Sequence, residues 1–459
     1  MFNNIRELCE TPMPAGWSSA IYVAGYKIPN DGGGGWFLFS LDDEIEDGGT
    51  VFKGAHGGVW IRIFDGNLNP RWYGAAGNGT SDDSSAFQKA IDACAKLKKA
   101  ISIDSGHYRL EHNIVKDSSF QCPSMYGGAQ GSTLLDFSAL PAGKSGITLR
   151  GGSGGLCGAV LRDLAFRGSG VQCGLSIEGM GGISIENCSF TDLAIGVMFH
   201  NRNKGDFTEC CVASKCKFDK TCAIAGEYRV SNGDRSFHGS GFHQCFINTA
   251  TTAILINQGA FVYNAELSVF AWIHGAATLV DNRSKFAASF FGVVNLETLS
   301  GFAKLANGSN VYLAGNILAS NERFEFGTLI QARTIVFNSD GSTSLLESDR
   351  QIKVKLRDRY TALFSIEESW FAQIVVEGQG YDARNFLLIV HNGFGAIGQI
   401  TGIGRPMLTD AIGLGGPTFE ISKEGAVFIS LDRKPKDPLD ACISLRQIGQ
   451  RQPANHFVS

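Results

Sequence analysis

Two short stretches of this chain crowd together side chains able to do chemistry. HNRNKGDFTEC (200–210) carries His200, Arg202, Lys204, Asp206 and Glu209, and GEYRVSNGDRSFHG (226–239) carries Glu227, Tyr228, Arg229, Asp234, Arg235, Phe237 and His238. Paired carboxylates are the groups that hydrolyse a glycosidic bond. Arg and Lys hold anionic substituents, and aromatic rings give sugars a face to stack on. Glu209 and Asp234 are 25 residues apart and are the first choice for a catalytic pair, with Glu227 and Asp206 as substitutes and His238 for orientation or proton transfer. Arg235, Arg229, Lys204 and Arg202 are expected to bind substrate, with Tyr228 and Phe237 as stacking platforms. Structural roles compete with these: Glu209 as a backbone cap, Asp234 as a turn residue in SNGDRS, and His238 as a packed ring.

The first stretch runs into TECCVASKCKFDKTC (208–222), four cysteines in fifteen residues. Zinc sites show paired C-x2-4-C or H-x3-5-H hooks, which this run lacks. The cysteines belong instead to a repeat. CSFTDLAIGVMF, CKFDKTCAIAGEY and CFINTATTAILIN begin at Cys188, Cys216 and Cys245, spaced 28 and 29 residues apart. Related segments begin at Leu164, Ser268 and Gly292, at spacings of 23 or 24. The segments alternate apolar and polar residues and are separated by Gly and Asn turns. Such units of 20–50 residues make a solenoid, and alternation makes it a β-solenoid, a parallel β-helix. Coils then rise about 4.8 Å each. Cys188, Cys216 and Cys245 stack as one inward ladder and Phe190 and Phe218 as another. Stacked Cβ atoms stay wider apart than the roughly 3.8 Å a disulfide prefers, so these thiols serve as small buried apolar groups.

The coils that carry the two reactive stretches are the longest of this series, so their extra residues should project on one side. One coil of rise approaches the carboxylate spacing of retaining glycosidases, and two approach the upper end for inverting ones. Glu266 and Glu297 on later coils, and Glu322 and Glu325 beyond them, are alternative groove carboxylates. Elimination is the rival chemistry, with Lys204, Arg229, Arg235 or His238 as base or charge neutraliser. No dense Asp cluster suits calcium, so neither metal nor other cofactor is expected.

Three regions follow. Residues 1–66, rich in Gly and aromatics, predict a small β module. Gly32–Gly35 there lacks the Lys-Ser/Thr and helix of a phosphate loop and reads as a turn. Residues 67–344 hold the repeat, introduced by a helix with Ser81 or Asp82 as N-cap and an apolar face of Ala86, Phe87, Ala90, Ile91, Cys94 and Leu97 that caps the solenoid. Residues 345–459 lose the repeat and read as a C-terminal antiparallel β-sandwich. The class is all-β. With 40 basic and 44 acidic residues and no basic block, no nucleic-acid partner is expected. No apolar run or leader suggests membrane insertion or export, so folding in a cytoplasm is expected.

YGAAGNGTSDDSSAFQKAIDAC…ISIDSGHYRL (73–110) resembles the opening motif of the pectate-lyase-like right-handed β-helix superfamily, shared by phage tailspikes and capsule depolymerases. GYKIPNDGGGGWF…DGGTVF…VWIR resembles the short module that precedes that motif in phage tail proteins, and TE…SFHG (208–239) a stretch of tail depolymerases. The resemblance implies a homotrimeric tailspike on the virion tail, attached directly or through an adaptor protein. It would bind and degrade a bacterial surface polysaccharide, capsule or O-antigen, or act as a non-catalytic receptor-binding fibre. The C-terminal sandwich would then serve trimerisation or carbohydrate binding. The chain departs from the polygalacturonases in lacking their paired-Asp and Gly-His-Gly motifs.

Overall fold

The computed structural model describes residues 1–337 apart from 13–17, 42–43, 118–121, 152–157, 249–250, 274–276, 299–302 and 320–323, and the strands between 343 and 447; from residue 331 it describes the backbone alone. Glu322 therefore lies outside the described residues.

In the N-terminal module a helix, Ile5–Glu10, is capped by the Asn4 side chain, which accepts the Glu7 N–H at 2.9 Å. It packs on an antiparallel sheet ordered Ile21–Val23, Gly35–Ser40, Val59–Ile63, Val51–Lys53. Ile5, Leu8, Val23, Phe37, Phe52 and Trp60 form its core. The Gly-rich segment is a turn clamped by Arg62. That buried guanidinium donates to the carbonyls of Gly33, Gly34 and Gly49 at 2.6–2.9 Å and lies between the rings of Phe37 and Trp72. Burial pulls its pKa down to about 10.

The capping helix is Ser84–Leu97, starting one residue later than an Asp82 cap predicts and two later than a Ser81 cap. Asp83 occupies the N-cap position, but its carboxylate turns back to the N–H groups of Ala76 and Gly77. Asp82 accepts the Ser84 N–H at 2.9 Å in its place. The buried face is as expected except for Leu97, which is exposed.

The body is a parallel β-solenoid of about 8 turns. One sheet stacks nine parallel strands from Ile114–Asp117 to Phe324–Glu325, including Cys173–Glu178, Ile195–Asn201, Ile224–Val230, Thr252–Ile256 and Thr278–Asn282. A second sheet includes Ser189–Thr191, Lys217–Phe218, Gly241–Ile247, Ala265–Ile273 and Ala288–Thr298. A third pairs Ser236–His238 with Phe261–Tyr263.

Two ladders of left-handed residues turn the corners. Gly182, Cys210, Gly239 and Asn264 make one, and Asp163, Asn187, Lys215 and Gln244 make the other, all with φ between 48° and 72°. Asn and Asp tolerate this region better than other non-glycine residues, which explains their recurrence. Cys188, Cys216 and Cys245 follow the second corner, free and buried. Each thiol donates to carbonyls of its own and the preceding coil. The phenylalanine ladder is longer than the repeat suggests: Phe137, Phe166, Phe190 and Phe218 stack with centroids 6.2, 4.9 and 4.8 Å apart.

The register slips by one residue at Gln244, so Cys245 pairs with Val269 and not Ser268. Coil length also varies more than the repeat implies. Ile114, Ile147 and Leu175 are equivalent, so the coils beside the capping helix span 33 and 28 residues. Coiling ends at Leu329–Phe337, on which Thr343–Glu347 folds back antiparallel. Beyond it, antiparallel strands form a five-stranded and a three-stranded sheet.

Candidate functional site

The two reactive stretches lie on successive coils and are joined by their backbones. The N–H of Ser231 bonds the carbonyl of Asn201, that of Asp234 bonds Asp206, and that of Cys210 bonds His238, at 2.8–2.9 Å. Buried Asn201 closes the join, donating its amide to the carbonyls of Asp234 and Ser236. The two stretches therefore lie side by side on neighbouring coils, but only 202–205 and 231–235 are largely exposed; Glu227 and Tyr228 belong to a buried strand.

At the corner, Gly182 bonds the carbonyl of Glu209, Cys210 that of His238, and Gly239 that of Tyr263. Glu209, His238 and Tyr263 therefore occupy one position on three successive coils. Glu209 does not face Asp234 across one coil, as its spacing suggests, because the intervening loop shifts the count. The two carboxylates nevertheless converge. Glu209 Oε1 accepts the Ser236 hydroxyl at 2.6 Å and Asp234 Oδ1 accepts the Ser236 N–H at 2.8 Å. Two hydrogen bonds and the width of one serine cap the separation of those oxygens at roughly 9 Å, the upper end for inverting pairs, and the Asp234 bond is the turn contact that SNGDRS predicts. The Ser236 hydroxyl also meets the Tyr263 hydroxyl at 3.2 Å, and the His238 ring stacks on Tyr263 at 4.8 Å. Asn264 sits 3.4 Å from His238 Nε2. Asp234 is exposed, while Glu209, Ser236, His238 and Tyr263 are half-buried, so all can be reached from solvent. Arg235, also exposed, lies over the Phe286 ring at 5.4 Å.

Other expected residues lie elsewhere. Tyr228 and Phe237 are not stacking platforms: both are fully buried in the core, edge to face at 5.5 Å, and Tyr228 donates its hydroxyl to the Ser240 carbonyl. Asp206 is buried and accepts the N–H groups of Arg202 and Asn203, which makes it a loop cap. Glu227 is buried on the nine-stranded sheet, bound by Arg229 at 2.6 Å and by the Asn257 amide. Its strand neighbours are Met198 and Leu255. That leaves Arg229 occupied as well. Arg202 reaches back to Glu178 at 3.5 Å, and Lys204 is exposed at the loop tip. Glu266 bonds His243 at 2.7 Å, and Glu297 accepts the Trp272 N–H.

Sequence reading missed Tyr263, which the coil register carried one step past His238 would have found. It named His200 but missed the charged row that His200 joins, Arg150 and Glu178, with Ser231 on His200 Nε2. Burial pushes the Glu178 carboxyl up, but His200 and Arg150 outweigh it and hold the pKa at about 2. Among the described residues, no three His, Cys, Asp or Glu side chains gather as a metal site. Nor is any described helix long and apolar enough to cross a membrane.

Residues 1–65 match the family described as the phage tail protein small four-stranded beta-sheet domain. The chain is 25% identical over 215 residues to a protein of Klebsiella phage KP32 named depolymerase 1, capsule K3-specific; the match covers 41% of this chain and 24% of that relative. The chain thus spans about a quarter of the relative's length. Its fold is similar to the enzymatically active domain of tailspike protein 2 of bacteriophage CBA120, with TM-score 0.51, 10% identity, and coverage of 96% of this chain and 89% of that one. That likeness is one of fold, a parallel β-solenoid.

Proposed function

We propose that this virion-tail protein is a tailspike that binds and depolymerises a bacterial surface polysaccharide, capsule or O-antigen, by glycoside hydrolysis. The observation that carries the reading is the meeting of Glu209 and Asp234 at Ser236, at a solenoid corner beside His238 and Tyr263. One carboxyl protonates the glycosidic oxygen and the other activates water or attacks the sugar. His238, Tyr263 and Arg235 position the chain. The N-terminal domain attaches the protein to the tail or an adaptor, and the full chain works as a homotrimer. The relative named as a capsule depolymerase supports the substrate class.

The stacked His238–Tyr263 pair favours a second reading, elimination from a uronate. There His238 or the Tyr263 phenol would move the proton and Arg235 would neutralise the carboxylate. A digest of purified capsule and O-antigen polysaccharides separates the two. Hydrolysis gives oligosaccharides that have gained water; elimination gives unsaturated uronates with near-ultraviolet absorbance. Binding without products would leave a receptor-binding fibre and overturn the depolymerase reading.

A further inference from the structure

On the outer face of the second sheet the register sets Ser189, Lys217, Phe246 and Phe270 in one row on successive coils. An open cavity of about 690 Å³ lies where that row changes from lysine to phenylalanine, lined by Lys215, Lys217, Asp219, Lys220, Phe246 and Trp272 among others. Phe246 stacks on Phe270 at 5.5 Å and 8°, and Trp272 meets Phe246 edge-on at 5.1 Å. The Trp272 N–H is held by Glu297 at 2.7 Å, so the indole is fixed in place. Unlike the inward phenylalanine ladder, this group stands on the surface, with Phe270 37% exposed.

The charge beside these rings is mostly basic: Lys215, Lys217 and Lys220, against Asp219 and the Glu297 that holds Trp272. The three lysines face one lining carboxylate, Asp219, which is 3.8 Å from Lys217. A ligand suited to the site needs a ring face for Phe246 and an anionic group for the lysines. We infer that this cavity is a binding subsite for an anionic sugar unit, in the simplest case a uronate. The inference rests on the polysaccharide-binding reading above and deepens it. Lys217 lies eight residues beyond Glu209 on the same coil, at most about 26 Å along the strand path and less across the corners. The corners at Cys210 and Lys215 lie between the two, so the subsite stands on a different wall of the coil from Glu209.

The test uses full-length protein carrying Glu209→Gln to prevent turnover, and as probe the panel polysaccharide that the wild type cleaves, in native and carboxyl-reduced forms. The double variant Lys217→Ala/Lys220→Ala, at two exposed positions, is expected to weaken binding of the native form about tenfold and to flatten its salt dependence. Phe246→Ala should weaken it similarly, and carboxyl reduction should reproduce the lysine effect. Unchanged affinity in the double variant, or a cleaved polysaccharide with no anionic group, overturns the subsite and leaves the proposed function standing. A wild type that neither binds nor cleaves any member of the panel overturns both.

Discussion

Glu209 and Asp234 meet on a single residue, one taking the hydroxyl of Ser236 and the other its main-chain N–H. Neither bond seals its carboxylate into the core, and Asp234 is exposed. Glu209→Gln and Asp234→Asn keep these side chains' shape while removing their charge. Each variant is expected to lose about 10²–10⁴-fold in cleavage rate, the usual reach of a general acid or base. Secondary structure, oligomeric state and polysaccharide binding should be unchanged. Full activity in both, measured by reducing-end release, would remove them from the site.

Tyr263 offers a sharper division between the two chemistries. Tyr263→Phe removes the hydroxyl 3.2 Å from Ser236 but keeps the ring stacked on His238. If carboxylates hydrolyse the glycan, the phenol only supports Ser236, and kcat should fall by no more than about tenfold, the worth of one hydrogen bond. If the phenol moves the proton in an elimination, the loss should reach about 10²–10⁴-fold. Initial rates of the two proteins on the same polysaccharide decide between these outcomes.

Much of the fold was legible because a solenoid repeats its own constraints. Cys188, Cys216 and Cys245 recur after the same left-handed corner, and each coil reports the register of the next. Legibility failed where a local device shifted the count. The slip at Gln244 puts Val269 rather than Ser268 beside Cys245, the next coil puts Val294 rather than Gly292 there, and the Asp83 carboxylate, bound to Ala76 and Gly77, displaces the cap expected at the helix start. The site was half legible for a related reason. GEYRV reads as part of a projecting loop, yet it belongs to the strand Ile224–Val230. Strand alternation therefore sends Tyr228 inward and sets Glu227 and Arg229 on the opposite face, where they pair. Loop composition carries no such rule, so Asp206 looked as available as Asp234 although it caps its own turn.

The thiol ladder predicts an order of reactivity. Burial raises the Cys188 and Cys216 thiols well above their ordinary range. Cys210, on the outer corner, is exposed. Iodoacetamide at neutral pH should label Cys210 in the folded protein and spare Cys188, Cys216 and Cys245 until denaturant is added. Peptide mass spectrometry reads the order directly. Early labelling of Cys216 in folded protein would contradict the inward ladder.

Glu178 predicts how the solenoid responds to acid. Its carboxyl is buried among Arg150, Arg202 and His200, and its pKa lies at about 2, below the ordinary glutamate value. A carboxyl whose pKa is depressed on folding contributes stability that is fully present above its unfolded pKa and is lost as pH falls through the folded one. The shift corresponds to on the order of 3 kcal/mol, disappearing between about pH 5 and pH 2. Glu178→Gln removes that proton linkage and leaves the arginines without their buried anion. The variant should therefore be less stable than wild type near neutrality, and the gap should narrow steadily as pH falls through this window. Parallel denaturation curves for the two proteins across the window, with no narrowing, would show that the Arg150–Glu178–His200 row does not hold the coils together through its charge.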